Sequence, residues 1–492
     1  MRRFALSTGT LLLVLGPTAL AFFTGGYYEG PRAWAGLGAW LLVVLGAALS
    51  SGARPFHGPS RLAFGGLAAL ATLSLVSMLW APVVSNAYGA GQIAVLYLGA
   101  ALAAALLLDR SRVRSVEPLL AAGALIVIGY GLAGRLLPGV LHFSNLPAAE
   151  GRLYQPLTYW NAMGELAALG LVLCVRLAGD EARARWMRAL ALAAVVPLGA
   201  GLYISFSRGA LFACGAGVVA LVVLAPRRRQ LAGLAAAVVF GVLGGVAAAP
   251  FAAVSSLSGT RSTQEAQGVI VLGIVLLLMV LAGLASWLLD IRVSSQRLSM
   301  PPRSGQIATV LICAGLAAAI ILGAKQSTGS ATQALAGGSS RLATLQSDRF
   351  DYWRVALRAF GTEPLRGVGA GNWNVYWLRW RTISEGAQDA HSLPLQVLAE
   401  LGILGIAALL ALVVGVGLSA ARALRRAGPG AAGPAAALIT YLIHAPLDWD
   451  WQMPAVTLVA MVLAGTVIAL AATQTGDAQV PQELIVSVST PA

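Results

Sequence analysis

Charge is what this chain has least of. Only 11% of its 492 residues are Asp, Glu, Lys or Arg, while 58% are apolar. That scarcity excludes a soluble enzyme of this length, and it equally excludes a disordered chain, which stays solvated through its charge. Lysine is almost missing: Lys325 is the only one, so the 33 basic residues are in effect arginines. Cysteine is rare too. Cys174, Cys214 and Cys313 lie in or beside apolar blocks with no paired spacing, which argues against a disulfide framework or a thiolate metal site and for small core residues. Alternating segments of about 10 residues, the mark of a membrane-spanning β-barrel, are also absent.

What the chain does have is long apolar runs. Blocks of roughly 15–23 residues recur, and a run of that length crosses a hydrocarbon core of about 30 Å as a helix. We read fourteen candidate spans, near 4–24, 33–50, 62–80, 88–108, 116–137, 158–178, 187–204, 209–225, 231–249, 268–290, 306–324, 394–421, 432–446 and 454–472. The expected fold is an all-α, polytopic transmembrane helical bundle of 12–14 spans with one long extracytoplasmic loop domain. Residues 1–324 and 394–473 form the membrane part, 325–393 the loop domain, and 474–492 a cytoplasmic tail without Lys or Arg, read as disordered. Arg2, Arg3 and the run to Ala19-Leu20-Ala21 also have the pattern of a cleavable signal peptide; a first span fits the alternation of loops better. No repeat period or two-halves symmetry is visible, which weakens a transporter reading.

The net charge of +14 is distributed by side. Arg2–Arg3, Arg54 with Arg61, Arg110–Arg114, Arg183–Arg188, Arg227–Arg229, Arg292–Arg303 and Arg422–Arg426 all fall in loops on one side. By the positive-inside rule that side is the cytoplasm, and an even number of spans puts both termini there. The excess of Arg therefore reflects topology, and no nucleic-acid partner is implied.

Arginines on the opposite side need another explanation. The 325–393 loop has eight basic side chains, among them Arg349, Arg366, Arg379 and Arg381, against five acidic ones. Within it Phe350, Trp353, Leu357 and Phe360 recur at spacings of three and four, a helical stripe suited to resting on the membrane body or in the lipid interface. Then comes a Gly-rich turn, Glu363 to Asn372, weak as a signal because turns use glycine as often as phosphate cradles do. His391 follows at the mouth of the next span. The short connection Ser205–Ala210 places Arg208 among small residues, an arrangement suited to gripping an anion. His57, His142 and His444 are read as structural or interfacial, and Glu165 as facing the bundle interior. Asp448-Trp449-Asp450 has the acid-x-acid pattern of some metal sites, but two flanking tryptophans favour interfacial anchoring or acceptor contact.

Taken in order, several of these motifs resemble the O-antigen ligase/polymerase superfamily over about residues 200–410. They are Ser207-Arg208-Gly209, Arg349 with Trp353, Pro364-Leu365-x-Gly367-Val368-Gly369-x-Gly371, and His391-Ser392 with Leu398-Ala399-Glu400-Leu401-Gly402. Arg152-Leu153 with Pro156-Leu157-x-Tyr159-Trp160-Asn161-Ala162, Arg381, and Asp448-Trp449 near Pro454 are similar to a subset of that family. The resemblance implies an inverting, metal-independent glycosyltransferase without a cofactor or nucleotide sugar. Such enzymes move a glycan from undecaprenyl diphosphate to an acceptor hydroxyl on the outer face of the inner membrane. It places the catalytic histidine at His391 and the diphosphate arginines at Arg208 and Arg349, with Arg381, Arg152 and Ser207 as additional donor or acceptor contacts.

The residue chemistry agrees. A diphosphate leaving group gains negative charge as the glycosidic bond breaks, and guanidinium groups hold phosphate through a permanently charged planar fork. A neutral imidazole can take the proton of an attacking hydroxyl. The acceptor stays open between glycan, glycolipid such as a lipid A core, teichoic-type polymer and protein. A polymerase of lipid-linked repeat units, a flippase of lipid-linked glycans and a non-catalytic assembly protein are the alternative readings. A flippase would line a path through the bundle with cations, whereas the basic residues here gather at the faces.

Overall fold

The computed structural model describes residues 1–50, 55–56, 58–144, 146–293, 296–326, 342 and 347–472. Arg54, His57, Arg341 and the 474–492 tail lie outside the described residues. Among the described residues there are seventeen α-helices and no strand beyond one isolated bridge. They are α1 (Arg2–Ala21), α2 (Glu29–Leu49), α3 (Pro59–Val76), α4 (Val84–Leu107), α5 (Val113–Leu136), α6 (Trp160–Gly179), α7 (Arg185–Ile204) and α8 (Arg208–Leu224). After them come α9 (Arg228–Ala248), the short α10 (Ala252–Ser255), α11 (Arg261–Arg292), α12 (Ser304–Gln326), α13 (Arg349–Thr362) and α14 (Trp373–Trp380). The chain ends with α15 (Leu393–Ala427), α16 (Ala432–His444) and α17 (Pro454–Ala472). The protein is a multi-pass membrane protein with an all-α bundle. Twelve described segments are long and apolar enough to cross a membrane; that count joins α15 to α16 and leaves out α8, which has 17 residues. Each of the fourteen expected spans is therefore a helix.

Burial sorts the helices as their composition requires. α6 and α17 are enclosed on every side, while no described residue of α12 is buried and much of its apolar surface is exposed, which is where lipid belongs. Cys313 lies on that exposed helix, so the expectation that all three cysteines are core residues fails there; Cys174 is buried and Cys214 partly so. Small residues bring helices into close contact. A Cβ at Gly199 of α7 or Gly244 of α9 would collide with backbone of the facing helix, the packing that membrane helices use where no hydrophobic effect drives association.

The arginine clusters meet at one end. Arg183 pairs with Glu117 at 2.9 Å, Arg188 and Arg229 share Asp290 at 2.8 Å each, and Arg110, Arg114, Arg176, Arg183, Arg227 and Arg426 line one cavity of about 490 Å³. The far end holds the 147–160 loop, the break between α7 and α8, helices α13 and α14, and the turn between α16 and α17. The α7–α8 connection is not a tight hairpin. Phe206 has a positive φ of 47°, and the helices diverge: α7 packs on α6, α9 and α11, whereas α8 packs on α16 and α6.

At the far end α13 buries Tyr352, Val355, Ala356 and Ala359. These stand at i, i+3, i+4 and i+7, a second apolar stripe that its small members made less conspicuous than the expected Phe350–Trp353–Leu357–Phe360 face. Of the expected face Trp353 packs against this buried cluster, while Leu357 is 53% exposed. Small side chains prevail because Ala356 and Ala359 let α13 approach α15 closely. Trp373 and Trp377 of α14 stack with centroids 5.5 Å apart and complete this second core.

Candidate functional site

Two elements far apart in sequence build the centre of the far end. Arg349, the first residue of α13, donates to Asp448 Oδ2 at 2.6 Å, and Tyr159 OH donates to Asp448 Oδ1 at 2.6 Å. Asn161 donates to the Tyr159 oxygen at 2.7 Å, and the Trp449 amide donates to Asp448 Oδ1 at 2.9 Å. The Asp448 side chain is inaccessible, whereas Arg349 keeps 22% of its side chain exposed. Arg349 is thus anchored on its buried edge while part of its side chain stays accessible. Burial alone would raise the Asp448 carboxyl; the guanidinium of Arg349, followed by His391 and His444, brings it below its ordinary value instead. Asp448 is therefore a fixed anion.

The same turn is fastened from below. Asp450 bonds to His444 Nδ1, and Glu165 of α6 lies 3.7 Å from that nitrogen, all three side chains fully buried. The Asp450 carbonyl accepts from Thr457 at 2.6 Å, and the Ala445 carbonyl accepts from the Leu393 amide at 2.9 Å, which ties the start of α15 to the turn. The two acids of Asp448-Trp449-Asp450 each face a basic side chain, one above and one below.

His391 sits between α14 and α15 in a left-handed backbone conformation, φ 51°, a strained choice for a non-glycine residue and one common at functional sites. Its Nδ1 lies 2.9 Å from the Asp389 carbonyl. A carbonyl only accepts, so Nδ1 carries the hydrogen and Nε2 presents a lone pair. The ring rests against Tyr352, centroids 5.0 Å apart, and faces Trp449 at 6.2 Å. Burial lowers the imidazole below its usual pKa, and Asp448 only partly opposes that, so the ring is neutral at neutral pH. Asp389 itself is pushed up to about 6 by burial, although Gln396 donates to its carboxylate at 2.9 Å.

The remaining expected residues divide. Arg208 opens α8 and is partly buried; a Cβ on the adjoining Gly209 would stand 3.1 Å from the His444 ring and 3.7 Å from Leu447, so the start of α8 borders the Asp448 turn. Ser207 is buried, and its hydroxyl caps α8 by accepting from the Ala210 amide at 3.3 Å. Arg152 is buried under its own loop, donating to the Ala149 carbonyl at 2.9 Å, with its guanidinium 3.8 Å above the Trp160 ring. It is one aromatic ring removed from Tyr159. Arg381 is exposed and donates to the Ser384 and Glu385 carbonyls at 3.2 and 3.4 Å.

The Gly-rich turn is not an open cradle. Its Gly371 and Trp373 amides donate to the Glu400 carboxylate at 2.7 and 3.2 Å. Gly402, with φ 63° and ψ −155°, breaks α15, and the Ile403 and Leu404 amides bond to the Pro364 and Leu365 carbonyls. The turn therefore satisfies a broken membrane helix, the accommodation that non-helical backbone at this depth requires. Beside it opens a polar cavity of about 520 Å³ lined by Tyr27, Asn86, Gln388, Asp389, Gln396 and Trp451, among others. It reaches Asp389, two residues from His391.

Sequence reasoning gave Asp448, Tyr159 and Trp449 only peripheral roles. The signal that could have singled out Asp448 was electrostatic: an acid in a short interfacial turn, on the side where Arg349 needed a counter-charge.

The O-antigen ligase family model matches residues 248–410. The match runs from the end of α9 through the first half of α15 and contains Arg349, the Glu400-bound turn and His391. It supports an O-antigen ligase/polymerase-type membrane glycosyltransferase. Arg208 and Asp448, which the fold brings to the same end, lie outside the matched stretch. No curated protein matches the chain.

Proposed function

We propose that the protein transfers a glycan from an undecaprenyl diphosphate carrier to an acceptor hydroxyl, by an inverting, metal-independent displacement on the extracytoplasmic face of the bacterial inner membrane. The observation that carries this reading is the placement of His391, whose Nδ1 lies 2.9 Å from the Asp389 carbonyl and so leaves Nε2 to accept a proton, in the same site as Arg349, which Asp448 anchors without covering.

In this reading the acceptor hydroxyl approaches from the polar cavity next to Asp389 and gives its proton to His391 Nε2. Its oxygen forms a bond to the anomeric carbon while the bond from that carbon to the diphosphate oxygen breaks. The electron pair leaves with the diphosphate, where Arg349 and Arg208 stabilise the growing charge, each well-placed donor contributing a few kcal/mol. The imidazolium that forms is close to Asp448, which offsets its charge. The polyprenyl tail remains in lipid between the helices. Arg349 on an extramembrane helix and Arg208 on a spanning helix let the clamp straddle the interface, which suits a ligand with its head in water and its tail in the bilayer.

Purified protein given a lipid-diphosphate glycan and a hydroxyl acceptor should transfer the glycan. His391→Ala should slow transfer by about 10²–10⁴-fold, with donor binding nearly unchanged. Transfer at the wild-type rate by that variant would remove His391 as the base.

A further inference from the structure

A second basic cavity lies at the far end, between the end of α5 and the beginning of α11. It measures about 290 Å³, and its walls include Arg135, His142, Arg152, Tyr154, Arg261 and Gln264, with no acidic residue among those that line it. Arg135 is the unusual member. It is 5% exposed, one of its terminal nitrogens donates to the Gly151 carbonyl at 2.6 Å, and the other is buried without a hydrogen-bond partner. Among the described residues Arg135 makes no ion pair. The nearby acids already have other partners: Glu150 lies 3.4 Å from Arg152, and Glu265 lies 3.2 Å from Arg261. A buried guanidinium with an idle donor and no counter-charge is costly unless an anion joins it.

The walls are held in place without any ligand. Arg261 donates to the Pro138 carbonyl and Gln264 to the Arg135 carbonyl, both at 2.9 Å, so the first turn of α11 is latched to the end of α5. Close by, Val140, Val269 and Ile270 are 85%, 59% and 52% exposed, apolar surface that belongs in lipid. The cavity thus lies near the polar boundary of the membrane, at the low end of the size range of small-molecule pockets.

From the uncompensated buried cation and the basic cavity around it, we propose that this is a second anion site, binding one phosphate group through Arg135 and Arg261, independent of the proposed glycan transfer. The phosphate belongs either to a phospholipid headgroup entering from the side or to a free phosphate from solution. Arginine suits both, since its fork meets two phosphate oxygens at once.

The test measures thermal unfolding of the full chain in nanodiscs, in three arms. These are discs of a galactolipid, which carries no phosphate, in phosphate-free buffer; the same discs with millimolar inorganic phosphate; and phosphatidylglycerol discs in phosphate-free buffer. Wild type should gain at least ~1–2 °C over the first arm in one of the other two; the phosphate arm identifies a free anion, the phosphatidylglycerol arm a headgroup. Arg261→Gln, a change at an exposed position, should lose that gain. Arg135→Gln should lose it as well and, with the uncompensated charge removed, be no less stable than wild type in the galactolipid discs. A wild type equally stable in all three arms overturns the proposal, as does an Arg261→Gln variant that keeps the full gain. Should Arg135→Gln fail to fold, the Arg261→Gln response decides.

Discussion

Asp448 holds Arg349 at 2.6 Å, joining the first residue of an extramembrane helix to the turn between the last two spanning helices. Asp448→Asn keeps the size of the side chain and removes its charge. Because the carboxylate is inaccessible and breaking a buried pair leaves the partner uncompensated, the cost is about 3 kcal/mol, discounted for the partly exposed Arg349. We expect a lower unfolding temperature and at least ~10-fold slower transfer. Asp448→Asn and Arg349→Gln should also be non-additive, since both remove one interaction. Rates of the two single variants and the double variant check this; simple additivity would show that the pair does not act as a unit.

The pH profile should report His391. A general base works when deprotonated, and burial holds this imidazole below its ordinary value of 6.5. The acid limb of kcat/KM, which reports the free enzyme, should therefore fall below that value, with the rate flat above it until another group titrates. A limb centred above 7 would contradict the neutral-ring assignment.

Asp389 gives a separate pH signature, in stability. Its carboxyl is raised from 3.8 to about 6, so the folded state binds the proton more tightly than the unfolded chain does. That contribution is fully present below the unfolded pKa and is lost as pH rises through about 6. Asp389→Asn should flatten the pH dependence of the unfolding temperature across this window and be at least as stable as wild type at neutral pH. Transfer should persist, because His391 bonds to the backbone carbonyl of Asp389 and not to its carboxylate.

The spans were legible because lipid demands long apolar runs, and the sidedness because arginine clusters follow topology. Arg349 shares the arginine-poor side with seven other basic residues of the 325–393 loop, so charge placement marked the loop, and the resemblance of the surrounding motifs set Arg349 and His391 apart within it. Asp448 was obscured because its importance depends on a partner 99 positions away in sequence. The buried face of α13 was not legible because Phe350 and Trp353 outweigh Ala356 and Ala359 in hydrophobicity, whereas close packing favours the small pair. Glu400 could not be connected to the Gly-rich turn from sequence at all. Its link to Gly371 and Trp373 exists only because Gly402 breaks α15 and frees backbone groups for the turn to meet.

That break offers the most direct check on how the turn is built. At Gly402 a Cβ would stand 2.5 Å from the Leu365 carbonyl oxygen, on a backbone with φ of 63°. Gly402→Ala therefore faces both a left-handed conformation and a backbone collision that no rotamer relieves, costing ~1–3 kcal/mol. Gly417 lies further along the same helix, where an added methyl group would meet nothing within 4 Å, so Gly417→Ala should be neutral or mildly stabilising through helix propensity alone. Since the bonds flanking Gly402 hold the turn that leads from α13 to α14 and on to His391, Gly402→Ala should lower transfer as well as unfolding temperature. Gly417→Ala should leave both unchanged or slightly raised. Equal behaviour of the two variants would mean that α15 tolerates a regular helix at Gly402, and the coupling between the broken helix and the site would fall with it.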